Sequence, residues 1–141
     1  MYDAAALAMG FNECINARDL NGLARLMANN HSFIDTDGNA FIGKAACIEA
    51  WRSFFDSFPE YRNIFEAVLA RRNSVTVVGH TVCPGFPALE GPALWTAVAA
   101  REGLTEWRVY EDKQEERRRL GIDDEWFVHA HPPLNGEAPV S

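Results

Sequence analysis

Residues 33–63, FIDTDGNAFIGKAACIEAWRSFFDSFPEYRN, change hydrophobic period twice, and those changes decide how the chain is organised. The start of the stretch belongs to HSFIDT (31–36), where His31, Phe33 and Asp35 alternate with Ser32, Ile34 and Thr36 as on the two faces of a strand. Asp37-Gly38 is a tight-turn signal, after which NAFIG returns as a short partner strand. From Lys44 the period lengthens. Ile48, Trp51, Phe55 and Phe58 fall at steps of three and four, the stripe of an amphipathic helix, and Pro59 stops it. A helix with so wide an aromatic face must bury it against something large.

Upstream, Ala4, Leu7, Ala8, Phe11, Cys14 and Ile15 predict a helix over 3–17. Asp19 is placed to cap a second, short one carrying Leu20, Leu23, Leu26 and Met27, which Gly22 weakens slightly. Downstream, four strands are expected at 61–72, 75–83, 93–101 and 104–111, divided by Asn73-Ser74, by a Pro- and Gly-rich loop, and by Glu102-Gly103. Connections that short imply antiparallel pairing. Helices gathered on one face of such a sheet define an α+β domain. Residues 112–120 are charged, with Glu115 and Arg119 spaced for a helical pair. The tail from Asp123 is read as partly irregular, with Trp126-Phe127-Val128 able to dock on a surface.

The chain has 141 residues, 48% hydrophobic and 23% charged, enough for one folded domain with a core. Its net charge of −7 and the absence of a basic face exclude nucleic acid as the expected partner. Three cysteines, Cys14, Cys47 and Cys83, are too far apart for a CxxC motif and odd in number, so free thiols are expected. No apolar run approaches a membrane span and Met1-Tyr2-Asp3 lacks a basic leader, so a cytoplasmic location is the expectation. No nucleotide loop or nucleophile motif is present, and no cofactor is expected. His129-Ala130-His131 sits on a Pro-flanked segment without a rigid frame, and no metal site is assigned.

The 33–63 stretch, VVGHTV (77–82) and LTEWRVYED (104–112), in that order, resemble the SnoaL-like branch of the nuclear transport factor 2-like, or cystatin-like cone, proteins. The resemblance spans roughly residues 4–114. It implies a cone-shaped, strongly curved antiparallel or mixed sheet with three helices on its concave side. The cone domain would then occupy residues 1–120 and a tail 121–141. The family includes polyketide cyclases, ketosteroid isomerases, epoxide hydrolases, dehydratases and non-enzymatic binders, so function does not follow from the fold.

Carried over by position, the resemblance puts Asp35 where ketosteroid isomerases keep the proton-moving carboxylate. Phe11 stands where they keep an oxyanion-binding tyrosine. Val109 replaces an essential Asp of limonene-epoxide hydrolases, and His80 and Val82 take the places of their Arg and Asp. It also implies that Phe33, Asp35, His80 and Trp107 point inward. The expected site pairs Asp35 with His80 as acid–base groups, since aromatic walls would favour the protonated carboxyl. The same pair would equally be a buried hydrogen bond without chemistry. Tyr61 is read either as a donor at the pocket mouth or as a corner anchor, His31 as a core or rim residue. Phe33, Trp51, Trp107, Val109 and Phe11 are the expected pocket residues. The expected ligand is a small, largely apolar organic molecule, the reaction an isomerase-, cyclase- or lyase-type proton transfer, and the alternative a non-catalytic binding or dimerising domain. A homodimer through the outer sheet face, anchored by Trp95 with Ala97 and Ala99, completes the expectation.

Overall fold

The computed structural model describes residues 3–133. Helix α1 (Ala4–Ala17) starts where the Asp3 side chain accepts from Ala6 N. Helix α2 (Leu20–Leu26) starts where Asp19 accepts from Gly22 N at 2.9 Å. Gly22 has a packing reason: a Cβ there would stand 2.5 Å from Cys14 Sγ. Strand β1 (Met27–Ile34) and the short β2 (Ala40–Ile42) form the hairpin, and α3 spans Lys44–Ser57. Four long strands follow, β3 (Arg62–Arg71), β4 (Ser74–Val82), β5 (Gly91–Ala100) and β6 (Gly103–Glu111). The expected order of elements is the observed one.

The six strands make one sheet in the order β2-β1-β6-β5-β4-β3. β1 lies parallel to β6 and every other pair is antiparallel, so the sheet is mixed. Register shifts interrupt β1, β3 and β6, and irregularities of this kind bend a strand and increase its twist. Gly79 on β4 sits opposite the β3 irregularity, where the Ile64 carbonyl oxygen lies 2.0 Å from the position a Cβ would take.

The concave face holds the main core. Phe11, Ile15 and Leu23 from α1 and α2 and Cys47, Trp51 and Phe55 from α3 are buried against the sheet. Trp95, Ala97 and Ala99 of β5 belong to this interior, with the Trp95 ring 5.0 Å from Phe65. They are therefore not a dimer anchor, because the alternation of β5 sends them inward.

The convex face is also covered, which the sequence reading did not anticipate. Two short helices, α4 (Gln114–Arg119) and α5 (Asp124–His129), fold back onto it. Ile122 and Trp126 pack on Leu69, Val78, Leu94 and Tyr110, and Trp126 is 2% exposed. Arg117 clamps Asp112 through two hydrogen bonds of 2.7 and 2.8 Å. His131 and Val68 exchange backbone hydrogen bonds of 2.9 Å. The centre of the expected dimer face is thus occupied by the chain's own C-terminal segment. Trp126 docks as expected, whereas Phe127 and Val128 remain exposed. The charged helix pairs Glu116, not Glu115, with Arg119. Arg108 lies over the Tyr110 ring. The part of the tail at 134–141 and the residues Met1 and Tyr2 lie outside the described residues. Among those described, no helix is long and apolar enough to cross a membrane.

Candidate functional site

Bending the sheet around α3 leaves a cavity of about 640 Å³ on the concave side. Trp51 and Phe54 project from α3, Phe33 from β1, and Trp107 and Val109 from β6. Trp51 reaches Phe33 at 5.1 Å and Phe54 at 6.0 Å, and Phe54 meets Tyr61 edge-on at 4.8 Å. The result is a continuous aromatic wall from β1 to the end of α3. Trp95 and Thr81 come from β5 and β4, and Ala88 and Leu89 from the turn between them. The Thr81 hydroxyl donates to the Leu89 carbonyl at 2.6 Å and holds that turn in place.

Phe33, Asp35, Trp51, Tyr61, Trp107 and Val109 all line the cavity. Phe11 does not. It is fully buried behind the wall, its ring 4.6 Å from Trp107 and 5.5 Å from His31, so it supports the pocket without touching its contents.

His80 is on the other side of the sheet. Its Nδ1 lies 3.0 Å from Glu66 Oε2 on the convex face, and both side chains are substantially exposed. The alternation of β4 turns Val75, Val77 and Thr81 inward and Val78 and His80 outward. The expected Asp35–His80 pair is therefore not formed. Both faces of β4 carry valine because both are covered, which removes the polarity contrast that would have marked the outside.

Asp35 ends β1 at the rim, half-buried rather than enclosed by aromatics. Its Oδ1 accepts from Asp37 N at 3.0 Å and Asn39 N at 2.9 Å, and its Oδ2 accepts from Asn39 Nδ2 at 3.3 Å. The carboxylate thus organises the Asp37-Gly38 turn while facing the cavity. Tyr61 is the more secluded polar group. Burial pushes its hydroxyl pKa well above the ordinary value, so it stays protonated as a donor. That hydroxyl has no hydrogen-bond partner among the described residues.

Sequence reasoning missed Asn63, Thr81, Trp95 and Glu111 on the lining. Asn63 could have been found, because it lies two residues past Tyr61 on the same extended segment. Its backbone is gripped by the Asn16 carboxamide through two bonds of 2.9 Å, which fix the start of β3 against α1. A second void of about 420 Å³, lined by Asn12, Asn16, Arg62 and Asn63, lies between α1 and β3 and lacks comparable aromatic walls. His31 is a core residue. It is fully buried, its Nδ1 lies 2.8 Å from the Leu104 carbonyl, and burial lowers its pKa so that the neutral ring is favoured.

Solved structures share this architecture at low identity. A putative SnoaL-like polyketide cyclase from Shewanella denitrificans superposes with a TM-score of 0.67 at 20% identity, over 85% of this chain and 98% of that one. An uncharacterised cystatin-fold protein from Novosphingobium aromaticivorans reaches a TM-score of 0.69 at 11% identity, over 79% and 100% of the two chains. A computationally designed 17-OHP binder gives 0.62 at 17% identity, over 77% and 90%. No curated protein is significantly similar to the chain. The family model for the SnoaL-like domain matches residues 8–116, most of the chain, and with the curved sheet and its helices on the page the conclusion is direct: this protein belongs to the SnoaL-like domain family.

Proposed function

We propose that the concave cavity binds a small, largely apolar, ring-bearing organic molecule, and that Asp35 moves a proton on it in an isomerase-, cyclase- or lyase-type reaction that needs no cofactor. The observation that carries this reading is one cavity in which aromatic walls, a rim carboxylate and the unpartnered Tyr61 hydroxyl are all on the lining. Asp35 takes a proton from a carbon next to a carbonyl, and the electron pair moves onto the carbonyl oxygen. Tyr61 donates a hydrogen bond to that oxygen, the role for which Phe11 has no hydroxyl. Return of the proton to another carbon completes an isomerisation, whereas attack by the enolate carbon on a second carbonyl of the same molecule forms a ring alkoxide that takes the proton back from Asp35 and completes a cyclisation. A positioned base contributes about 10²–10⁴-fold and an oxyanion donor a comparable factor. The relatives named as putative polyketide cyclases and a designed binder support a ligand-holding cone.

A non-catalytic binding domain is the second reading. It is favoured by the three turn hydrogen bonds that Asp35 already accepts. Native mass spectrometry of protein purified from cells, followed by turnover assays on the retained molecule, separates the two. Catalysis requires Asp35→Asn to abolish turnover and Tyr61→Phe to reduce it, both in protein that circular dichroism shows to be folded. Turnover that survives Asp35→Asn ends the catalytic reading, and a ligand retained without turnover supports the second.

A further inference from the structure

The charge of the cavity restricts its ligand further. Among the described residues its lining contains no Lys, Arg or His, but it contains two carboxylates, Asp35 just past β1 and Glu111 at the end of β6. Glu111 pairs with Lys113 at 3.4 Å, and both side chains are well exposed. Arg108, the cation within β6, points away and lies over Tyr110 with its guanidinium carbon 4.8 Å from the ring. The rings of Phe33, Trp51 and Trp107 line the same cavity, with Trp51 and Trp107 6% and 1% exposed. An anion placed against the aromatic wall would lose water and meet no basic side chain among the described lining residues, while the two carboxylates repel it. A cation would lose its water to aromatic ring faces, which carry negative potential, and to two carboxylates.

We infer that the ligand of this cavity is an organic cation, an amine or quaternary ammonium carried on a flat ring body, with its charge at the Asp35–Glu111 rim and its rings against Trp51 and Trp107. The inference rests on the reading that the cavity is the ligand site and is independent of proton transfer by Asp35. It also gives Glu111, which the proposed reaction does not use, a role in specificity.

The test uses three probes with one ring skeleton and three charges: 2-naphthylmethyl-trimethylammonium, 2-naphthylmethanol and 2-naphthylacetate. Binding to the full chain is followed by calorimetry and by tryptophan fluorescence. The cation should bind about tenfold more tightly than the alcohol, and the carboxylate more weakly than either. Salt should weaken the cation selectively. Asp35→Asn with Glu111→Gln should erase the preference for the cation, read as the ratio of the cation's affinity to the alcohol's. Circular dichroism verifies that the double variant is folded, and each single variant should lose part of the preference. Carboxylate binding equal to or tighter than that of the cation overturns this inference alone. Failure of all three probes to bind overturns the cavity as a ligand site, and this inference with it.

Discussion

His80 Nδ1 lies 3.0 Å from Glu66 Oε2 on the convex face of the sheet, while its neighbour Thr81 faces the cavity. An exposed pair of this kind contributes about 0–1 kcal/mol. His80→Ala should therefore leave ligand affinity unchanged and shift the melting temperature slightly. Thr81→Val should do more, because it removes the 2.6 Å hydrogen bond to the Leu89 carbonyl and loosens the turn beside the pocket. A cost of about 1–2 kcal/mol is expected from denaturant midpoints, together with weaker ligand binding. A larger effect on affinity from His80→Ala than from Thr81→Val would contradict the assignment of faces on β4.

Trp126→Ala removes the side chain that seals the convex face against Leu69, Val78, Leu94 and Tyr110. Truncating a buried Trp costs about 3–5 kcal/mol. Urea unfolding should show that loss, and light scattering should show increased self-association as the uncovered apolar patch finds a second copy. Unaltered stability would mean that the C-terminal helix is not part of the folded body.

Gly79→Ala places a methyl group where the Ile64 carbonyl oxygen lies at 2.0 Å, a backbone contact that no rotamer relieves. The strands must separate or the β3 irregularity must shift, at a cost of about 1–3 kcal/mol or more. Soluble yield and thermal unfolding check this. Gly38→Ala is the useful comparison, since nothing lies within 4 Å of its added Cβ and only its positive φ of 86° opposes the change.

Burial lowers the folded-state pKa of His31, whose unfolded value is about 6.5. The unfolded chain then binds the proton more readily than the native one. This contribution to stability is complete above about pH 6.5 and is lost as the pH falls from there toward the lower folded value. His31→Gln, which keeps a donor for the Leu104 carbonyl, should flatten that part of the stability profile. An unchanged slope between neutral and mildly acidic pH would show that another group controls the acid limb.

The amino-acid order by itself determined the elements, their sequence along the chain and most of the aromatic wall. The Trp51 stripe of α3 and the alternation about Trp107 on β6 are local periodicities, set by 3.6 residues per turn and by two per strand repeat. The alternation of 31–36 put Asp35 on one strand face with Phe33, and its inward direction came from the family resemblance. Which face of β4 looks inward was decided only in three dimensions. Val77 and Val78 are equally apolar because α1 and α3 bury one face and Trp126 buries the other, and contacts that distant leave no mark in a strand's own pattern. The rim position of Asp35, the seclusion of the Tyr61 hydroxyl and the want of a basic side chain among the described lining residues likewise follow from how the bent sheet closes on α3.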